Sequence, residues 1–191
     1  QWVKQYGTEN FEASNGIAVD WNENIYITGT FYNKFLEDRN SGIILYKFNS
    51  SGKKIWRKVV NTMKGDDAQG ISIDSKGNIY ITGGTRGNMG GNRNAGSSDA
   101  FIAKYNPEGK KLWIKLLGSK GWDAACDIDI DKSDNVYIAG YFRGNLTGFS
   151  YKGGYDAFVA KYNSQGKKKW MKSISTLSDD KPAGVCVDSN Y

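Results

Sequence analysis

Short apolar runs, each closed by Gly, Asn, Asp or Ser, follow one another along the chain. "GISID" (70–74) and "NIYITGG" (78–84) flank a tight polar turn, and "DAFIAKYN" (99–106) and "KLWIKLLG" (111–118) flank "PEGK". Runs of this length, rich in Ile, Tyr and Phe and bounded by turn residues, predict β-strands. In "NIYITGG" and "DAFIAKYN" apolar or aromatic residues occupy both parities. Side chains alternate between the two faces of a strand, so this pattern predicts a sheet covered on both sides. The connections also have readable chemistry. Asp74 can accept hydrogen bonds from its turn backbone, and Gly77 and Gly109 can take positive φ, so both connections read as hairpins and the four strands, A to D, as an antiparallel meander.

The same pattern recurs. "IAVDWNENIYITGT" stands at 17–30, "IDIDKSDNVYIAGY" at 128–141 and a shortened copy, "VCVDSNY", at 185–191. Trp2, Trp56, Trp113 and Trp170 are spaced by 54, 57 and 57 residues, and Ile17, Ile71, Ile128 and Val185 by the same intervals. Four-stranded antiparallel units that cover one another on both faces describe a β-propeller with strand A lining the central channel. A stacked solenoid usually repeats at shorter periods, near 20 to 30 residues. The expected fold is therefore all-β: four-stranded blades with full repeats at about 15–61, 69–118 and 126–175, strand D of a preceding blade at 1–8 and the start of a further blade at 183–191. That makes about 3.3 blades, too few to close a ring of four to eight. Two bare blade faces of roughly 300 Å² each, half apolar, would leave on the order of 7 kcal/mol unrealised. The chain thus reads as part of a longer propeller, or as one of two copies that complete a ring; the strands of two copies do not tile neatly, which favours the first.

Residues 67–83, "DAQGISIDSKGNIYITG", together with "GSSDAFIAKYNPEGKKLWIKLLG" (96–118) and "GYDAFVAKYNSQGKKKWMKSI" (154–174), resemble the bacterial SBBP-type β-propeller repeat. The resemblance spans essentially the whole chain. It implies blades of a ring that usually numbers seven, in a module of secreted or cell-surface bacterial proteins. The first copy departs from the pattern, with Gly42 where Asp99 and Asp156 open strand C.

Composition narrows the chemistry. Gly is abundant at 24 residues, Pro contributes only 2, and aromatic residues supply 14%. No apolar run approaches the roughly 18 residues of a membrane span, so the chain reads as soluble. It starts at Gln1 without an initiator Met, as a processed or trimmed product would, so the lack of a leader is no argument for the cytoplasm. No histidine is present, which removes the commonest general base and transition-metal ligand; no cofactor and no metal is expected. Cys126 and Cys186 occupy non-equivalent repeat positions and read as small buried hydrophobes, with a disulfide as the other possibility.

Propeller geometry sorts the connections onto two faces, because antiparallel strands alternate direction. The A–B and C–D turns share one face, which carries Lys53, Lys54, Lys110, Lys111, Lys167, Lys168 and Lys169 and much of the net +6 charge. These lysines read as solvated turns that guard the outer strand against edge-to-edge pairing. The alternative is a dock for an anionic partner, but no aromatic residues interleave to stack bases. Asp20, Asp74, Asp131 and Asp188 read as turn caps present in every copy. "DIDIDKSDN" (127–135) superficially resembles a calcium loop but lacks its central Gly and closing Glu. The Gly-rich 85–99 segment precedes no helix and so is not a phosphate loop.

Specific binding is expected where the copies disagree, on the face of the D–A and B–C connections. The candidates are Phe11, Asp66, Asp67, Trp122, Asp123, Asp179 and Asp180 from the D–A side, and Arg39, Arg86, Arg93 and Arg143 from the B–C loops. An exposed Trp beside Asp and Arg suits a sugar ring; equally, Trp122 could pack between blades. Three functions follow. The first is a non-catalytic, extracellular or surface-bound scaffold for protein or glycan, joined to further blades. The second is a carbohydrate-active enzyme using a pair such as Asp66 and Asp123. The third is an RNA-binding propeller of the NHL type, which shares the "GIAVD…IY" segment (16–26) but uses shorter repeats.

Overall fold

The computed structural model describes residues 3–9, 11–32 and 41–188. The expectations for Trp2, Arg39 and residues 189–191 lie outside them. Among the described residues, twelve strands form three four-stranded antiparallel sheets. Blade 1 comprises β1 (Phe11–Val19), β2 (Ile25–Tyr32), β3 (Ser41–Phe48) and β4 (Lys54–Val60). Blade 2 comprises β5 (Asp66–Ile73), β6 (Ile79–Thr85), β7 (Asp99–Tyr105) and β8 (Lys111–Leu117). Blade 3 comprises β9 (Ala124–Ile130), β10 (Val136–Phe142), β11 (Asp156–Tyr162) and β12 (Lys168–Ile174). Strands pair in chain order within each sheet, and β5 packs between β1 and β9. The first strand of each blade therefore faces its counterparts across the axis. The three A–B turns meet around a cavity of roughly 530 Å³ lined by Val19, Trp21, Ile73 and Ile130. This is the expected propeller architecture, laid out as three adjacent blades.

The core lies between blades. One cluster joins Tyr26, Ile43 and Leu45 of blade 1 to Ile71, Ile79, Ile81, Phe101 and Ala103 of blade 2. A second joins Tyr80, Ala100 and Ile102 of blade 2 to Ile128, Val136, Ile138 and Phe158 of blade 3. Alternate residues of β6 and β7 thus serve opposite neighbours, and both strands are buried along their whole length. Blade 1 shows what happens without a full neighbour. Ile17 is 65% exposed, whereas Ile71 and Ile128, at the same repeat position, are 8% and 4%.

Strand A is longer than expected, beginning at Phe11, Asp66 and Ala124. A β-bulge explains the difference: the register shifts between Ser14 and Gly16 in β1 and between Ala68 and Gly70 in β5, and β9 shifts likewise against Ala139 and Gly140. The extra residue breaks the apolar alternation, so the sequence there reads as loop. The bulge also explains a glycine in every strand B. A Cβ on Gly29 or Gly83 would stand 2.0 Å from the carbonyl oxygen of Ala13 or Asp67.

The terminal blade fragments are less regular than expected. Residues 3–8 form no strand, although Tyr6 packs its ring 4.7 Å from Phe48. Residues 183–188 form no strand either. They run beside β9, where Val185 N–H and Val187 N–H donate to the carboxylates of Asp127 and Asp129 at 2.9 and 2.8 Å.

Candidate functional site

The two edges of the blades use carboxylates differently. At each A–B turn one Asp organises the hairpin. Asp74 accepts from the main-chain N–H of Lys76 and Asn78, the Asn78 side-chain amide and the Tyr80 hydroxyl, at 2.8–3.1 Å. Asp20 and Asp131 repeat the arrangement with Asn24 and Tyr26, and with Asn135 and Tyr137. Strand C adds a lysine absent from the sequence-based reading: Lys104 Nζ lies 3.0 Å from Asp74 and Lys161 Nζ 3.4 Å from Asp131. Burial alone would raise the Asp74 carboxyl, but the Asn78 hydrogen bonds and the Lys104 ammonium outweigh it and hold it below the usual range.

The same lysine joins neighbouring blades. Lys47 Nζ and Trp56 Nε1 both donate to the Pro107 carbonyl in the C–D turn of blade 2, at 3.2 and 3.3 Å. Lys104 Nζ and Trp113 Nε1 both donate to the Ser164 carbonyl of blade 3, each at 3.3 Å. Trp56 and Trp113 are therefore inter-blade clamps, and the Asp is the cap the sequence suggested. Asp127, Asp129 and Asp131 have separate partners in the terminal segment and the A–B turn. Among the described residues no group of three or more His, Cys, Asp or Glu could hold a metal ion.

At the opposite edge, the structure corrects several candidates. Asp66 and Asp123 are not loop groups open to a ligand, being 0% and 1% exposed. Asp66 accepts from Thr62 N–H and from the Thr62 and Thr85 hydroxyls. Asp123 accepts from Ser119 N–H and hydroxyl and from Arg143 N–H. Asp180 does the same with the N–H and hydroxyl of Thr176. Each closes its own D–A turn with a hydroxyl residue four positions earlier, so these three are structural. Burial pushes the Asp123 carboxyl up to about 6, against the pull of its Ser119 hydrogen bonds. Arg93 is exposed on an excursion of the B–C loop, whose Met89 packs in the core beside Ile114 and whose Asn92 donates to the Ile114 carbonyl on outermost strand β8. It therefore stands away from the channel mouth. Phe11 is 69% exposed, with Tyr32 5.9 Å away.

What the fold does assemble is a set of copy-specific side chains between blades. Asp67, Gln69 and Arg86 line a cavity of roughly 500 Å³ with Asn15, Tyr32 and Ser41. Gln69 donates to Asp67 at 2.8 Å. Burial raises the Asp67 carboxyl despite that bond and the nearby Arg86 charge. The Arg86 guanidinium lies 4.7 Å from the Trp122 ring centroid, so both packing and partial exposure hold for Trp122, which is 40% exposed. At the next junction Arg143 lies 5.5 Å from the Tyr155 ring, and Asp179 accepts from Tyr155 N–H at 3.1 Å. Tyr155, Tyr141 and Lys181 are the residues sequence reasoning missed here. A position-by-position comparison of the copies would have marked them, since Ser41 and Ser98 stand where the third copy has Tyr155.

Cys126 and Cys186 are both free thiols; Cys126 is half-buried and Cys186 exposed. Among the described residues no helix is long and apolar enough to cross a membrane.

Comparison with known proteins agrees with the architecture. Residues 1–30 and 62–88 match the SBBP β-propeller repeat. The chain is also similar to an uncharacterized WD repeat-containing protein of Acanthamoeba polyphaga mimivirus, 21% identical over 232 aligned positions that cover 93% of this chain and 17% of that protein. The chain thus spans less than a fifth of that relative's length. Three adjacent four-stranded blades and the matching stretches define a β-propeller repeat protein. The two matching stretches are similar to repeats of the SBBP type.

Proposed function

We propose that this chain is a non-catalytic propeller module of a secreted or cell-surface protein, a rigid scaffold that binds protein or glycan through the D–A/B–C face. The observation that carries the reading is the divergent set Asp67, Gln69, Arg86 and Trp122. Asp67, Gln69 and Arg86 line a cavity between blades 1 and 2, and Arg86 also packs on Trp122, while the turn caps around them are spent on structure. A carboxylate, an amide, a guanidinium and a partly exposed indole on a fixed backbone suit the polar edges and apolar face of a pyranose. Retention on a glycan array tests this. Arg86→Ala and Trp122→Ala are each expected to weaken retention about tenfold or more with little change in melting temperature. Retention unchanged by both, or turnover of the retained polysaccharide, would overturn the reading.

A further inference from the structure

We propose that Tyr141 and Tyr155, with Asp179 beside them, form a binding site for a small quaternary ammonium compound, a site the chain occupies with its own Lys181. The two rings stand 5.0 Å apart between centroids at 78°, so they form two walls of a corner. Lys181 Nζ sits in that corner, 3.8 Å from the Tyr155 centroid and 5.2 Å from that of Tyr141. Both distances lie inside the roughly 6 Å range over which a ring face attracts a cation. Asp179 supplies a counter-charge, with Oδ2 3.8 Å from Lys181 Nζ and Oδ1 fixed by Tyr155 N–H.

The demands of a blade do not explain this corner. Thr30 and Gly84 hold the Tyr141 position in the other copies, Gly65 and Trp122 that of Asp179, and Asp67 and Ala124 that of Lys181. Nor is Lys181 firmly held. Its side chain is 45% exposed, and it lies in a segment without strand structure. A competing cation can therefore take the place of Lys181 on the two rings, beside the Arg143 guanidinium 5.5 Å from the Tyr155 centroid. Burial first, then the fields of nearby groups that include the Asp67 and Asp123 carboxylates, push the Tyr141 hydroxyl up, so its ring stays neutral and its face keeps the electron-rich character that attracts a cation. A quaternary ammonium suits such a corner better than a primary amine, because it gives up no hydrogen bonds to water when it leaves solvent.

The inference rests on the reading of this face as the binding face, but it uses different residues from the glycan test. Titration of the full chain with tetramethylammonium and with choline, followed by aromatic NMR of the tyrosine rings, tests it. In Lys181→Ala the Tyr141 and Tyr155 resonances are expected to shift saturably, with affinity about fivefold higher than in wild type, where the lysine competes. Tyr155→Leu in the Lys181→Ala background keeps bulk and is expected to abolish the response. Absence of saturable shifts in Lys181→Ala, equal affinity in wild type and Lys181→Ala, or an unchanged response after Tyr155→Leu would each overturn the proposal. Arg86→Ala separates the two readings: it is expected to lose glycan retention and keep ammonium binding, so unchanged glycan retention there counts against the glycan reading alone, and loss of ammonium binding there overturns the ammonium site.

Discussion

The two edges of each blade carry the same residue type to opposite ends. At the A–B edge the carboxylate is surrounded by donors and held ionised, and three copies repeat the arrangement almost atom for atom. At the D–A edge Asp123 is buried so deeply that its ionised form is disfavoured, and the side chains around the junctions differ from copy to copy. The contrast shows where constraint lies. The A–B and C–D turns must both close a hairpin and clamp the next blade, so every copy meets the same demand. The D–A edge asks only for a cap, and the neighbouring positions are free to vary.

The sharpest test of the shared framework is Gly83→Ala. Its Cβ would collide with a backbone carbonyl, which cannot turn aside as a side chain can, and the variant is expected to lose about 3 kcal/mol or more in denaturant unfolding. Gly91→Ala, with φ +84° but no atom within 4 Å, should cost only about 1 kcal/mol. Equal losses would mean that the bulge does not constrain strand B.

The two classes of carboxylate should separate in the pH dependence of stability. Asp74 has a lowered folded pKa, so its contribution is present at neutral pH and lost as pH falls below the unfolded carboxylate value near about 4. Asp123 has a raised one, so its contribution is complete below about 4 and lost as pH rises through about 6. The penalty of Asp123→Asn should therefore be larger at pH 4.5 than at pH 7, by roughly 2 kcal/mol. That of Asp74→Asn should be at its full value at pH 7 and fall only in stronger acid. Parallel profiles from urea midpoints at several pH values would erase the distinction.

The smallest effect concerns the left-handed turn position, filled by Glu23, Gly77 and Asp134 with φ of 59°, 76° and 59°. Glu23→Gly should stabilise the protein by about 0.5 kcal/mol through relief of that conformation, a small upward shift in calorimetric melting temperature. Asp134→Gly should instead destabilise, because Asp134 accepts from the Ser75 N–H and hydroxyl in the neighbouring blade.

Much of the architecture was legible because each repeat states its own turn chemistry. Asp74, Gly109 and Trp113 recur in register, and with Gly77 they do what their types suggest. Three things were hidden. The start of strand A was masked by a bulge that breaks alternation at Gln69. Lys104 reads as a solvent residue until a partner carboxylate and a neighbouring turn carbonyl are placed beside it. The candidate site suffered most. Polar residues before a strand look exposed, yet Asp66 and Asp123 turn inward to cap their turns. The Tyr141, Tyr155 and Lys181 corner forms only when residues from two successive repeats are brought together.

The clamp between blades also gives the array a direction. Lys47 with Trp56, and Lys104 with Trp113, always donate forward, and the acceptor is always the turn of the following blade. A union in the reverse sense would set donor against donor and leave carbonyl facing carbonyl. Growth by duplication is therefore polar, like addition to one end of a filament: a new copy can dock wherever it offers its turn to the Lys and Trp of the copy before it.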